Sequence, residues 1–264
     1  MRRIIVCLKQ AVDVSQLKTD SVTRRLLVES APRKMSDFDR NALEEAIRIK
    51  EKLGGDVEIV TVTVTAEDAK AVLREALAMG ADKAYMVYDA SLRDIDTWGT
   101  AYVLAEAIKK IGVFDLILCG ETSLDGFSGV VGARLAELLG LSHVGYVRKL
   151  LVESEAVVAE RLLEDVVETV RVGLPLLVSV TRGINQPRIP SLMMIMKASK
   201  KEIVLWSVED LGLQKEKLAA KVDVVDVLAP KTERKKIRIA GESVQEIADK
   251  LTKALIQEGV VKRR

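Results

Sequence analysis

The sequence predicts an α/β fold: a mainly parallel sheet over residues 1–190 with antiparallel additions, followed by an extended C-terminal arm over 191–264. Three observations carry this. The first two-thirds alternates short apolar runs with amphipathic helical stretches, the pattern of a parallel sheet covered on both faces. From Val147 the rhythm changes to closely spaced β-like runs, and beyond Arg188 regular alternation is lost.

Residues 3–8 form the first expected strand. Ser36-Asp37 then offers an N-cap to a helix over 38–53, where Ala42, Ala46, Ile49 and Leu53 recur at helical spacing before Gly54-Gly55. A strand at 57–63, a helix at 66–79 stopped by Gly80, a strand at 84–88 and a helix at 97–111 stopped by Gly112 follow. The strand at 116–119 breaks at Gly120 into a polar loop, and a helix is expected from Gly129 to Leu139. The runs 150–152, 157–163, 168–172 and 176–181 are expected as antiparallel additions. Residues 191–236 mix Met, Lys and Pro with short apolar pieces, and only 243–258 reads as a capped amphipathic helix. A segment that builds no core of its own calls for a partner to pack on.

Composition narrows the function. The 41 basic and 39 acidic residues leave a net charge of +2 with signs interspersed, which gives no broad footprint for nucleic acid; the clusters Arg234-Lys235-Lys236 and Lys262-Arg263-Arg264 read as solvated tips. The apolar run before Lys9 is too short for a signal segment and no stretch has membrane-spanning length, so the expectation is a cytoplasmic protein that is not integral to a membrane. Cys7 and Cys119 lie in apolar runs outside any Cys-x-x-Cys pattern and read as buried, reduced thiols. One histidine, His143, supports neither a zinc site nor a Ser-His-Asp triad, so no catalytic or metal-ligating set is expected.

The chemistry concentrates in the stretch from Leu116 to Gly132, an apolar strand, a Gly-rich turn and a helix start. Gly120, Gly126, Gly129 and Gly132 permit close backbone approach, a helix N-terminus attracts an anion, and Ser128 adds a hydroxyl. The spacing matches neither GxGxxG nor GxxxxGK[ST], and a turn without a ligand remains the alternative. Cys7-Leu8-Lys9 and Thr63-Val64-Thr65 should meet this loop at the carboxyl ends of neighbouring strands and could hold an adenine by backbone hydrogen bonds. Asp96-Thr97 lies at the same edge, where a plain helix cap is the simpler reading.

These residues resemble the electron-transfer flavoprotein β subunits. The likeness covers nearly the whole chain: Val6-Cys7-Leu8-Lys9-Gln10 with Asp13, Ala42-Leu43-Glu44-Glu45-Ala46, Ala76 to Asp82, the Gly120–Gly132 loop, and Arg161, Glu164, Asp165, Glu168, Pro175 and Leu177–Ser179 in the β-rich segment. Val166 departs where an acidic residue or glycine is usual. The resemblance implies a Rossmann-like adenine-nucleotide-binding domain, with AMP or FAD held near Cys7, Leu8, Lys9, Ser36, Asp37, Phe38, Asp39, Val64, Gly120, Glu121, Thr122, Ser123, Asp125, Gly126, Ser128, Gly129, Val130 and Val131, and Gly132 closing the loop. Ser36-Asp37-Phe38 departs from the usual Asn-Pro-aromatic. Asp96-Thr97-x-x-Thr100 and Asp125-Gly126-x-Ser128-x-x-Val131-Gly132 resemble the subgroup that carries FAD and bifurcates electrons, adding Thr97 and Thr100 to the cofactor residues; Trp98 either packs on a ring or fills its space. The segment 181–188 resembles a recognition loop that places Ile184 as an exposed anchor for partner dehydrogenases.

The implied function is a redox carrier subunit, active with an alpha subunit onto which the arm 191–264 packs, passing electrons between flavin dehydrogenases and a quinone- or ferredoxin-linked acceptor. Two rivals share the sheet. An ATP-binding stress or signalling protein needs neither the β-rich segment nor the arm, and an adenylating enzyme needs a pyrophosphate loop that Cys7-Leu8-Lys9-Gln10-Ala11 does not provide.

Overall fold

The structure, a computed structural model, describes residues 2–222, 224–231 and 235–261. Two compact units, Met1–Val227 and Leu228–Arg264, emerge. The first unit is built on a nine-stranded sheet. Its strands are β1 (Arg3–Cys7), β4 (Glu58–Thr65), β5 (Lys83–Tyr88), β6 (Leu116–Gly120), β7 (Ser142–Val152), β8 (Ala156–Leu162), β9 (Val167–Gly173), β10 (Leu176–Val180) and β11 (Ile203–Trp206); β2 (Gln10–Val12) and β3 (Arg33–Met35) form a separate antiparallel pair. The order across the sheet is β11-β5-β4-β1-β6-β10-β7-β8-β9, and only the pairings β7–β8 and β8–β9 are antiparallel. The helices of this unit are α1 (Asp37–Lys52), α2 (Lys70–Met79), α3 (Thr97–Ile111), α4 (Val131–Leu139), α5 (Leu192–Ser199) and the single turn α6 (Lys215–Leu218).

Period-two alternation on buried strands sorts the core onto the two faces. Ile4 and Val6 of β1, Leu116 and Leu118 of β6, and Leu176 and Val178 of β10 meet Ala42, Leu43 and Ala46 of α1 and Ala76 of α2. On the other face, Ile5, Cys7, Ile117, Cys119 and Leu177 meet Leu104 and Ile108 of α3 and Leu135 of α4. Both clusters are built mainly of aliphatic side chains, and each fully buried Val, Leu or Ile contributes roughly 2 kcal/mol relative to exposure.

The structure corrects the sequence reading in four places. β10 is a parallel strand between β6 and β7 and not an antiparallel addition; its five positions are all buried, as a continuous apolar run in a two-sided sheet requires. β7 starts at Ser142, earlier than its apolar content suggests, because a register shift near Val147 and a left-handed Tyr146 interrupt the alternation. α2 and α4 begin later than expected, after the loops they follow. Residues 191–227 join the first unit, where β11 adds a parallel edge strand on β5 and Arg74 donates to the Ala198 and Lys201 carbonyls to hold the end of α5. That four-residue strand follows a Met- and Lys-rich helix, which hid it from periodicity.

In the second unit, α7 (Val244–Gln257) is capped by the Ser243 hydroxyl, which accepts from the Glu246 N–H. Val244, Ile247 and Leu251 stand exposed on it at helical spacing. Arg234 and the Lys262-Arg263-Arg264 tip lie outside the described residues. Among the described residues no helix is long and apolar enough to cross a membrane.

Candidate functional site at the strand-order reversal

From β1 the sheet grows through β4 to β5, and β6 then returns to the other side of β1. The chain leaves β1 towards α1 on one face and leaves β6 towards α4 on the opposite face. Loops that part in this way open a crevice beyond the carboxyl ends of the two strands, the position at which open α/β sheets bind ligands. A cavity of about 280 Å³ lies there. Its lining includes Cys7, Leu8, Lys9, Asp39, Val64, Thr97, Thr100, Gly120, Glu121, Thr122, Ser123, Gly126, Ser128, Gly129, Val130, Val131 and Gly132.

Two glycines are required by close approach. A Cβ on Gly120 would stand 2.4 Å from Phe38 Cβ, and one on Gly132 would stand 2.5 Å from Ser179 Oγ and 3.1 Å from Cys119 Sγ. The first lets α1 start against the end of β6, and the second seats α4 on β6 and β10.

Asp39 sits between the two strand ends. Its Oδ2 accepts the Lys9 N–H and its Oδ1 accepts the Gly120 N–H, each at 2.8 Å. Burial pushes its carboxyl up to about 6, against the two peptide donors and the Lys9 ammonium, which favour the ionised form. Burial likewise pushes the Cys119 thiol up to about 12 and raises Cys7, which also faces Cys119 and Asp39; both cysteines are free. Over the mouth, Lys9 Nζ donates to Asp125 Oδ1 at 2.7 Å and to Ser123 Oγ at 3.2 Å. Burial alone would raise Asp125, but Lys9, Ser123 and the Val12 N–H hold it below the ordinary carboxylate range.

The structure separates the expected site residues into two groups. Ser36, Asp37, Phe38 and Asp125 do not line the cavity. The Ser36 N–H donates to the Lys9 carbonyl, Asp37 pairs with Lys34, Phe38 packs under Gly120, and Asp125 is spent on Lys9 and Val12. The N–H groups of Leu8 and Lys9 are also committed, to Val62 and Asp39. The acceptors this segment still offers are the Leu8 and Lys9 carbonyls, each of which accepts one bond, from Thr63 and Ser36 respectively, and keeps a second lone pair. Leu104, Leu135 and Cys119 complete the lining and were not anticipated as site residues. Helical spacing marks the two leucines as core but does not say which turn reaches the strand ends.

At the far side, Asp96 caps α3 by accepting from the Trp98 and Gly99 N–H groups, and Arg134 of α4 donates to Thr97 Oγ1. The Lys221 ammonium covers the Trp98 ring at 4.4 Å, so this ring is occupied by a cation and does not line the cavity.

Residues 25–211 match the Electron transfer flavoprotein domain. The chain belongs to the electron transfer flavoprotein family. It is 39% identical over 255 residues, 94% of this chain and 97% of the relative, to the Electron transfer flavoprotein subunit beta of Thermoanaerobacterium thermosaccharolyticum. It is 37% identical to the subunit of the same name from Bacillus subtilis, over 98% of this chain and 99% of that one. It is also 35% identical, over 98% of this chain and the whole of the relative, to the Caffeyl-CoA reductase-Etf complex subunit CarD of Acetobacterium woodii.

In this electron transfer flavoprotein chain, the loop expected to carry an exposed anchor differs from expectation. Ile184 ends a 3-10 turn, Arg182–Ile184, and is half-buried against the core, whereas Ile189 is 92% exposed. The reason is polar. Asn41 Nδ2 donates to the Asn185 carbonyl at 2.8 Å, Asn185 Nδ2 donates to the Asn41 carbonyl at 3.0 Å and to Glu45 Oε2 at 2.9 Å, and Arg188 grips Glu44 and Glu51 together. These bonds draw 184–188 onto α1 and leave 189 as the projecting residue.

Proposed function

We propose that this chain is the β subunit of a heterodimeric electron-transfer flavoprotein and that its cavity holds FAD by the adenine-nucleotide end. The observation that carries the reading is the cavity at the strand-order reversal, walled by Gly120–Gly132 and extending to Thr97 and Thr100. Its donor set fits a nucleotide. Thr122 Oγ1 is buried without a partner among the described residues, the Leu8 and Lys9 carbonyls retain lone pairs, and Val64, Leu104, Val131 and Leu135 supply apolar walls for a planar base. Thr97 and Thr100 line the α3 side of the cavity, and the choice of FAD over AMP rests on the resemblance of Asp96-Thr97-x-x-Thr100 and of the Asp125–Gly132 loop to the FAD-carrying subgroup.

FAD supplies the reversible electron chemistry when bound. The residues of this chain orient the nucleotide, exclude water from its adenine end and set the local charge. No side chain here is assigned as nucleophile, acid or base. The loop 181–190 and the exposed α5 residues Leu192, Met193 and Met196 are read as the surface for flavin dehydrogenases, and the apolar stripe of α7 as part of an arm, within 191–264, that packs on an alpha subunit. Electrons would pass, in the cytoplasm, between such dehydrogenases and a quinone- or ferredoxin-linked acceptor. Likeness to the CarD subunit supports electron bifurcation as the mode.

Co-purification with the alpha partner, acid release of cofactors and quantification per heterodimer test the reading. Two flavins and no AMP are expected. One flavin with one AMP would replace FAD by AMP in this cavity, and a complex without flavin would overturn the proposal.

A further inference from the structure

We propose that Asp39 is a positioning residue for the nucleotide cavity: it binds no ligand itself but ties the β1 and β6 loops together, setting the width of the crevice between them. The inference rests on the nucleotide reading above. Its basis is geometric. Each carboxylate oxygen accepts one peptide N–H, Oδ2 from Lys9 and Oδ1 from Gly120, and the residue is only 6% exposed, which leaves little of it for a ligand to reach. Lys9 lies past the end of β1 and Gly120 is the last residue of β6; the chain leaves these two strands towards opposite faces, and the β1–β6 ladder has ended before it reaches either peptide. The parallel register β1–β6 ends at Val6 opposite Leu118, and the carboxylate bridges Lys9, three residues past Val6, to Gly120, two residues past Leu118.

The seat of Asp39 is itself fixed. The Ser36 N–H donates to the Lys9 carbonyl, so the first turn of α1 and the Lys9 peptide are bonded in both directions. Phe38 packs so closely on Gly120 that only glycine fits. The ionisable groups facing the carboxylate are the Lys9 ammonium and the Cys7 thiol from the β1 side and the Cys119 thiol from β6. Among these only Lys9 is cationic, and it is shared with Asp125. An ionised carboxylate accepts two charge-assisted bonds in this position, whereas an amide accepts one and turns its N–H₂ towards the other donor.

The test uses the co-purified heterodimer stripped of nucleotide and titrated with AMP, ADP and FAD. Asp39→Asn and Asp39→Ala are compared with Ile47→Val, a core truncation on the same helix outside the cavity. Both Asp39 variants are expected to weaken all three nucleotides by about the same factor, tenfold or more, and to speed amide exchange at Lys9 and Gly120, while Ile47→Val changes neither. Unchanged affinity in the Asp39 variants, or a loss confined to one nucleotide, would overturn the positioning role. Wild-type protein that binds none of the three nucleotides would instead contradict the nucleotide reading on which this rests.

Discussion

Two carboxylates on one helix show what distinguishes a site from a lock. Asp39, in the first turn of α1, is buried with peptide N–H groups as its direct partners and lines a cavity. Glu44, little more than a turn further, is equally buried but is held by the guanidinium of Arg188, which also takes Glu51, and by Arg48. Burial raises Asp39 to about 6; burial also acts to raise Glu44, but Arg188 and Arg48 bring it below the ordinary value. A charge matched on the spot closes a surface. A charge left to backbone dipoles beside an open crevice keeps a gap in the fold that a ligand can fill, and that gap persists only because the rest of the sheet supports it.

Breaking the lock should produce the largest effect on stability. Arg188→Met leaves Glu44 buried without its main partner and is expected to cost about 3 kcal/mol in chemical denaturation, with faster proteolysis within 181–190. Survival of the loop's protease resistance in that variant would show that packing of Ile184, and not the ion pair, holds it.

On the cavity side, Gly120→Ala forces a Cβ into Phe38 and is expected to cost about 2 kcal/mol and to release bound nucleotide. Denaturation and nucleotide content measured on the same sample would show whether the two losses travel together.

The two carboxylates should also respond to pH with opposite signs. Asp39 has a raised folded-state value, so its contribution is fully present below about pH 4 and is lost as pH rises through about 6. Glu44 has a lowered value, so its contribution is present above the ordinary glutamate range and is lost on acidification. Urea midpoints between pH 4 and 7 should therefore rise more steeply with pH in Asp39→Asn than in wild type, and less steeply in Glu44→Gln. Equal slopes in all three proteins would remove the electrostatic distinction between the two regions.

The smallest effect is expected at the projecting residue. Ile189→Ala, which loses almost no buried surface, should change stability by under about 0.5 kcal/mol while raising KM for a flavin dehydrogenase. An unchanged KM would remove Ile189 from the docking surface.

The same contrast governs what could be read in advance. The Gly120–Gly132 loop, Cys7–Lys9 and Val64 were legible because strand ends and glycines announce themselves locally, and the structure brings them around one cavity. The roles of Ser36, Phe38 and Asp125 were not, since each acts on a neighbour 27 to 116 residues away along the chain and no periodicity encodes such a contact. β10 was visible as a strand, but its parallel place in the middle of the sheet depends on a chain reversal through β7, β8 and β9. The exposure of Ile189 in place of Ile184 follows from hydrogen bonds between Asn41, Asn185 and Glu45, which are fixed only once α1 and the loop are side by side.

The central claim is that a nucleotide fills the crevice between the carboxyl ends of β1 and β6. Amide exchange of the nucleotide-free heterodimer, with and without added FAD, tests it directly. The account predicts protection concentrated at residues 7–9, 64 and 120–132, with little change along 181–190. Protection elsewhere, with these segments unaltered, would contradict it.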